Sequence, residues 1–215
     1  MFEGFDWQPI LIGAIAIMSL INGFSVFQNY RSDRAIVKVE PVYENDWMYW
    51  TELVDEKSSE TVRRYIIIGH LARTNFGRRP TSIANTNLRI RLRNMRTATS
   101  ALYDIPPPDL EISNAGTQRL PVMKAGPDPF DFRPMIQPGQ SVAGIHCFLF
   151  GMYGSDLWMP KTENGILEGV VELESGFGNS FKSKVNFRQV EFESLVKLFP
   201  TIESFVMKNL EADEA

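Results

Sequence analysis

The chain has 215 residues, a formal net charge of −4, 44% hydrophobic side chains and one cysteine. These values predict one globular domain with a substantial core, and a single cysteine excludes an intrachain disulfide, which fits a reducing compartment. The acidic balance, with no recognisable nucleic-acid-binding motif, argues against a nucleic-acid partner.

The first predicted element is a membrane-spanning helix. Residues 9–27 contain no charged side chain, and at 1.5 Å per residue they span roughly 28 Å, close to the thickness of the hydrocarbon core. Trp7 and Tyr30 bracket this run, as interfacial aromatic residues usually do. We therefore predict a short N-terminus over 1–8, a transmembrane helix over 9–30 and a basic linker over 31–35. A buried core helix is the alternative interpretation.

The flanks of this helix predict its orientation. No Lys or Arg precedes it, whereas Arg31, Arg34 and Lys38 follow it. Since cytoplasmic flanks carry the basic excess, we expect an outer N-terminus and a cytoplasmic domain at the inner (plasma) membrane. The start of the chain also lacks the basic residues that a cleavable signal peptide needs.

Small and weakly polar residues recur along the predicted helix at helical spacing. Such a face allows two membrane helices to approach closely, and an asparagine amide there can form a hydrogen bond across the contact. We therefore expect self-association of the anchor through Gly13, Ala16, Ser19, Asn22 and Gly23.

Residues 36–190 have the periodicity of β-strands. Strands are predicted at 36–43, 62–74, 88–93, 142–150, 166–174 and 181–188. The last two flank a glycine-containing turn and form a predicted hairpin, with an acidic stripe on one strand beside a basic stripe on the other. The strands each have one polar face, and no long helix lies between them. This pattern predicts an all-β, antiparallel sandwich of the immunoglobulin or fibronectin type.

Two segments depart from the strand pattern. Residues 102–140 are rich in proline, which favours extended loops and edges over central strands. Residues 191–215 form a predicted tail of short amphipathic helices with an acidic end. Phe192, Leu195, Val196 and Phe199 have the i, i+3, i+4, i+7 spacing of one such helix. Two roles of this tail remain open: it docks on the domain, or it binds a partner protein.

Three turn motifs resemble those of a known class of protein. Residues 75–83, Asn-Phe-Gly-Arg-Arg-Pro-Thr-Ser-Ile, resemble a hairpin of bacterial, often membrane-anchored, immunoglobulin-like sandwich proteins of unknown function. The Pro-Gly turn within 136–141 and the hairpin within 177–184 are similar to turns of the same proteins. The resemblance implies a sandwich fold and an anchored layout, and it implies no activity.

Basic residues are concentrated in one part of the chain. Residues 61–100 contain nine arginines and no acidic residue. If the first strand leaves the membrane and the second returns antiparallel to it, the turn near residue 78 lies back at the bilayer. Arg78 and Arg79 would then contact anionic lipid, at roughly 1 kcal/mol per basic residue. A solvated surface is the alternative.

An aromatic cluster lies between the first two predicted strands. Trp47, Tyr49 and Trp50 fall within four residues, and exposed aromatic residues of this kind are typical anchors for partner proteins. Packing against one end of the sandwich is the competing interpretation. We keep this cluster as the candidate partner-binding site.

No residue pattern predicts catalysis. His146 and Cys147 are adjacent, but neighbouring side chains of a strand point to opposite faces and cannot form a dyad. His70 and His146 together are too few for a metal site. We therefore expect no catalytic residue, no metal and no cofactor.

These observations predict a non-catalytic, membrane-tethered interaction or scaffolding module. The alternatives are an extracytoplasmic β-sandwich that binds a ligand or an envelope component, and an anchored hydrolase with the proline-rich segment as a lid.

Overall fold

The computed structural model describes residues 8–43, 46–55, 62–105, 107, 109–112, 116–124, 135–200 and 202. A long helix, α1 (Gln8–Ser32), precedes the strands. The strands are β1 (Val37–Pro41), β2 (Met48–Asp55), β3 (Val62–Asn75), β4 (Ile83–Arg91), β5 (Thr97–Tyr103), β6 (Asp109–Ile112), β7 (Gly116–Arg119), β8 (Ser141–Tyr153), β9 (Thr162–Glu163), β10 (Ile166–Ser175) and β11 (Ser180–Gln189), and helix α2 (Phe192–Leu198) follows.

The main sheet closes into a seven-stranded barrel. Its strands follow the order β3–β2–β11–β10–β4–β5–β8, and β8 pairs with β3 along thirteen residues to complete the ring. The sheet is mixed, because β11 and β2 pair in parallel. β1 lies beside the last part of β3, and β6 and β7 form a separate two-stranded ribbon.

The closed barrel corrects the predicted immunoglobulin-like sandwich. Alternation along a strand identifies the face that is buried, but a second sheet and the opposite wall of a barrel bury that face equally well. Here the wall is continuous, since closure pairs both edges of every barrel strand and removes the exposed edges of an open sheet.

Alternate residues of the barrel strands point inward and form the main core. Leu88 and Ile90 on β4, and Leu92 directly after it, are buried while the intervening arginines lie outside. Other interior residues are Val37, Val39, Met48, Trp50, Tyr65, Ile67, Phe148, Phe150, Leu167, Val171, Val185 and Phe187. This packing of side chains from all walls fills the barrel, as in other barrels of about this size.

A second apolar cluster covers the outer face of β3 and β8. Ile66 and Ile68 on β3 meet Ile145 and Cys147 on β8. Leu195, Phe199 and Ile202 from the C-terminal segment are fully buried against them. Docking of the tail on the domain is thus confirmed for its described residues, and residues 203–215 lie outside the described part of the chain.

The predicted hairpin is confirmed. β10 and β11 pair antiparallel, with Glu172 opposite Lys182 and with Glu174 opposite Ser180. The acidic and basic stripes form the expected ion pairs, at 2.9 Å between Lys182 and Glu172 and 3.0 Å between Lys184 and Glu168. The local charge pattern and the glycine turn were therefore sufficient to predict this hairpin.

Candidate functional site

The junction between α1 and the barrel is the most distinctive polar site of the described chain. The linker after α1 lies directly against the turn that follows β3. Phe76 donates a backbone hydrogen bond of 2.7 Å to the carbonyl of Ile36, and Arg78 donates one of 3.0 Å to the carbonyl of Arg34. Pairing of Val37 with Asn75 continues this contact into β1 and β3. The helix is therefore joined to the barrel by a linker that is hydrogen-bonded to the turn after β3.

Gly77 allows this close approach. A Cβ atom at this position would overlap the backbone carbonyl of Arg34 and the backbone nitrogen of Ile36, and would lie 2.6 Å from the Cα of Ala35. Backbone atoms cannot rotate away as the end of a flexible side chain can. The position therefore requires glycine, because the linker occupies the space of any side chain.

Asn75 connects three segments at the junction. Its side chain is fully buried, and its Oδ1 accepts hydrogen bonds from the amides of Gly77 at 2.9 Å and Ile36 at 3.3 Å. Its Nδ2 donates to the carbonyls of Arg79 at 2.7 Å and Ile136 at 3.0 Å. The side-chain amide of Asn75 thus forms hydrogen bonds with the linker, with its own turn and with the segment before β8. Its own hydrogen-bonding capacity is satisfied in this way, as buried polar groups require.

This arrangement explains two of the sequence motifs. The Asn-Phe-Gly turn and the segment at 136–141 are some sixty residues apart, yet both contact Asn75. The backbone of Asn75 contacts the same segment. Its carbonyl accepts a hydrogen bond from the backbone amide of Gly139, and its backbone amide donates one to the carbonyl of Gln140. Sequence reasoning did not select Asn75 or Gly77 as functional, although an asparagine two residues before a glycine is a signature of a side-chain-closed turn.

Arg78 and Arg79 both lie on the exposed side of the junction, but their contacts differ. Two nitrogens of the Arg79 guanidinium, Nε and Nη2, donate to Oδ2 of Asp33 at 2.9 and 2.7 Å. The side chain of Arg78 is exposed and forms no ion pair with the described residues. Arg79 therefore ties the turn to the residue after α1, and Arg78 remains the basic group that can face outward.

Apolar side chains accompany this basic group. Phe76, at the tip of the turn, is 56% exposed, and Ile36 in the linker is 49% exposed. The Lys38 ammonium lies 5.3 Å from the centre of the Phe76 ring. An aromatic ring with neighbouring cations is typical of a surface that contacts lipid headgroups.

The predicted aromatic cluster is divided between two environments. Trp50 is 4% exposed and points into the barrel, where its Nε1 donates to the Gly165 carbonyl at 3.0 Å. Trp47 and Tyr49 pack at the edge of the outer apolar cluster, and Trp47 meets Phe199 edge-to-face at 5.7 Å. Trp47 and Tyr49 are half-buried, and binding of a partner by this cluster stays a prediction.

The two histidines also occupy separate faces. His146 is fully buried inside the barrel, and its Nδ1 lies 3.0 Å from the carbonyl of Gly144. Nε and Nη2 of Arg73 lie 3.1 and 2.8 Å from His146 Nε2. Nε2 accepts these bonds in a neutral ring that carries its proton on Nδ1. His70 lies on the outer face, between Tyr43 and Trp47.

Burial controls the protonation of this polar group. Desolvation, followed by the charge of Arg73, holds the pKa of His146 well below its ordinary value. Desolvation also lowers the pKa of His70, lowers that of Arg73 to about 10, and raises the pKa of the Cys147 thiol to about 12. His146 points into the barrel and Cys147 lies in the outer apolar cluster, so this adjacent pair cannot act together as a base and a nucleophile. Among the described residues no group of three or more potential metal ligands occurs.

The described part of α1 is long and apolar enough to cross a membrane. Ile10–Asn29 has a mean hydropathy of 2.2 and none of it is buried against the barrel. A signal sequence at this end of a chain has the same properties. The small residues selected for self-association, Gly13, Ala16, Ser19, Asn22 and Gly23, are all exposed on this helix, and their pairing stays a prediction.

Comparison with known proteins gives no family. No family model matches the chain, and no curated protein matches it. A crystal structure from Bordetella pertussis, named as an ApaA protein, is 13% identical, covers 73% of this chain and 96% of its own, and has a TM-score of 0.29. A second crystal structure, a structural-genomics target, is also 13% identical, covers 71% of this chain and 86% of its own, and has a TM-score of 0.30.

These findings correct the resemblance drawn from the turn motifs. No family model supports that resemblance, and the sheet of this chain closes into a mixed barrel. The motifs were short turns, and short turns recur in unrelated β-folds because the same backbone geometry selects the same residues. At these TM-scores the similar structures carry no argument about function.

Proposed function

We propose that this protein is a single-pass membrane protein whose barrel is a non-catalytic interaction module held against the inner surface of the plasma membrane. The observation that carries the proposal is the hydrogen-bonded junction. β1 begins five residues after α1 ends, and the intervening linker is bonded to the turn after β3. A helix joined in this way fixes the direction in which the barrel faces, which a flexible tether does not.

The surface chemistry of the junction supports contact with lipid. Phe76, Arg78 and Lys38 lie beside the end of α1, where a bilayer surface would lie if α1 spans the membrane. Basic residues there gain roughly 1 kcal/mol each from an anionic leaflet, and an aromatic ring suits the headgroup region. The lipid-facing role thus falls to Phe76 and Arg78, while Arg79 has an internal role through Asp33.

The positive charges after α1 support a cytoplasmic domain. Reporter fusions at the C-terminus and after Tyr30 test this orientation. Fluorescence of a cytoplasm-active protein without activity of an export-dependent phosphatase is expected. The reverse result would overturn the cytoplasmic module in favour of an extracytoplasmic binding protein.

Site-directed spin labelling tests the position of the junction. Cys147 is buried and its thiol has a raised pKa, so an introduced surface cysteine is labelled selectively at neutral pH. In nanodiscs containing anionic lipid, a nitroxide at Phe76→Cys should be more accessible to oxygen and less accessible to a water-soluble nickel chelate than one at Tyr153→Cys. Tyr153 is exposed at the other end of β8. Equal accessibility at the two sites would reject lipid contact by the turn.

A further inference from the structure

A second surface lies on the outside of the barrel, at the strand ends away from the junction. It is a groove of about 720 Å³ lined by residues of β4, β10 and β11, by Thr97 at the start of β5 and by the β9–β10 hairpin. β4 starts near the junction and reaches Arg91 at its far end, while β10 starts at that far end with Ile166. The groove therefore faces away from the end at which α1 joins.

Hydrogen bonds hold the segment around β9 that borders the groove. The amide of Lys161 donates to the carbonyl of Arg91 at 2.8 Å. The turn at Asn164 and Gly165, which follows β9, has positive φ at both residues, 52° and 75°. The Gly165 carbonyl accepts from the Trp50 indole at 3.0 Å and from the Gln189 amide at 2.8 Å. A groove with fixed walls loses little conformational entropy when a ligand binds.

The charges of the groove favour an anionic ligand. Its lining includes four basic side chains, Arg89, Arg91, Lys161 and Lys184, and two acidic ones, Glu163 and Glu168. The acidic residues are already engaged, Glu168 with Lys184 at 3.0 Å and Glu163 with Lys161 at 4.0 Å.

Two arginines of the groove differ in their free capacity. Arg91 is exposed and forms no ion pair with the described carboxylates. Arg89 has a side chain that is 42% exposed, although its Nη1 is bound to Glu172 at 3.1 Å and its Nε is buried. An exposed guanidinium without an ion-pair partner of its own is a receptor for a carboxylate.

The form of the groove favours a peptide over a nucleic acid. It carries acidic groups between the basic ones, whereas a phosphate backbone needs a continuous positive surface. Ile166 is 47% exposed at its edge and offers an apolar contact. A volume in this range accommodates a short peptide segment.

We propose that this groove binds an extended acidic segment of a partner protein, with Arg91 as the principal carboxylate receptor and Arg89 as the second. The inference rests on the proposed role as an interaction module and names the kind of partner that the module takes. Because the groove faces away from the junction, a partner can bind while α1 and the turn contact the membrane.

The test is fluorescence anisotropy of the full chain in nanodiscs of neutral lipid, with a fluorescein-labelled octapeptide of alternating glutamate and alanine as the probe. Saturable binding to the wild type is expected, and Arg91→Glu should weaken it by about tenfold, since a charged hydrogen bond is lost and a repulsion added. Arg93→Glu is the matched control. Arg93 lies two residues after Arg91, is exposed and does not line the groove. Its replacement by glutamate makes the same charge change.

Three outcomes would overturn the proposal: no saturable binding, equal weakening by Arg91→Glu and Arg93→Glu, or equally tight binding of an octapeptide of alternating lysine and alanine. Arg91 is exposed, so the variant is expected to fold, and circular dichroism verifies this. The topology and spin-label measurements do not involve the groove. If the protein is not a tethered module, the topology and spin-label measurements will show it. If the groove does not bind an acidic segment, only the peptide titration will show it.

Discussion

The Trp50 indole donates a 3.0 Å hydrogen bond to the carbonyl of Gly165, so a side chain inside the barrel holds an exposed turn in place. Sequence reasoning selected Trp50 as an aromatic anchor for a partner. In the structure its ring lies in the main core beside Tyr65, at 6.4 Å between ring centres. In the proposed binding of an acidic segment, Trp50 would therefore act indirectly, by holding the turn that borders the groove.

Replacing Trp50 with phenylalanine should destabilise the domain. The change removes a hydrogen bond, worth about 0.5–1.5 kcal/mol, and leaves a small cavity in a packed core. We expect the free energy of unfolding to fall by about 1–3 kcal/mol in urea titrations monitored by circular dichroism. Trp158→Phe is the control, because Trp158 is 39% exposed and stacks only on the Arg96 guanidinium among its described partners. A loss below 1 kcal/mol is expected there, and equal losses would contradict the role of Trp50.

Replacing Gly77 with alanine should disrupt the junction. The new Cβ would overlap backbone atoms of the linker, and overpacking of this kind costs about 1–3 kcal/mol or more. Thermal unfolding of the full chain in detergent micelles measures the loss. Gly151→Ala is the matched control, since a Cβ at Gly151 on β8 meets nothing within 4 Å. An unchanged midpoint for Gly77→Ala would show that the linker does not occupy this space in solution.

The ion pair between Asp33 and Arg79 should contribute little energy despite its short distances. Its side chains are 45% and 58% exposed, and exposed pairs typically contribute about 0.2–1 kcal/mol. A double-mutant cycle with Asp33→Asn and Arg79→Gln should give a coupling in this range that decreases in 1 M salt. The cycle with Arg78→Gln in place of Arg79→Gln should give no coupling. A coupling above 2 kcal/mol would mean that the junction depends on this pair more than on its backbone bonds.

Stability should fall as the solution is acidified from pH 7.5 to 5.5. The pKa of His146 is well below its ordinary value in the folded state because of burial and the charge of Arg73. The unfolded chain therefore binds more protons near the ordinary histidine pKa of about 6.5, and stability decreases as pH falls through that value. For one histidine the total is about 1.4 kcal/mol over this range.

His146→Gln isolates this contribution, because glutamine can still accept a hydrogen bond from Arg73 but does not titrate. Urea titrations at the two pH values should show a loss for the variant that is smaller than for the wild type by about 1.4 kcal/mol. His70→Gln should reduce the loss less, since the pKa of His70 is lowered by burial alone. Identical pH dependence of wild type and His146→Gln would show that the imidazole is not kept neutral by the fold.

Several local features were readable from the sequence. The opposed glutamate and lysine stripes predicted the hairpin of β10 and β11, since charge pairing and a glycine turn act over a few residues. The alternation of leucine, isoleucine and arginine predicted the inner and outer faces of β4. The amphipathic spacing of Leu195 and Phe199 predicted a helix that buries them. Each of these signals depends on neighbours along the chain.

The functional residues were harder to find for a specific reason. Asn75 and Gly77 acquire their roles from Ile36, Arg34 and Ile136, which lie about forty to sixty residues away in sequence. Trp47 and Trp50 differ by three residues, yet one packs under α2 and the other points into the barrel. Composition identifies such residues as candidates but does not assign their partners.

The sequence by itself determined an apolar helix long enough to cross a membrane, six of the strand segments with their alternating faces, and the last hairpin. It did not predict β2 or β5, and it left docking of the tail open against binding of a partner. The tertiary structure alone decided that the sheet closes through β3 and β8, that β11 pairs in parallel with β2, and that the linker and the turn after β3 form one joint. The physical reason is the range of the interactions. Hydrophobic periodicity and turn chemistry act within a strand or hairpin, whereas closure and the junction depend on pairings between residues far apart in the chain, and local sequence does not encode which pairing completes the hydrogen bonds of every edge.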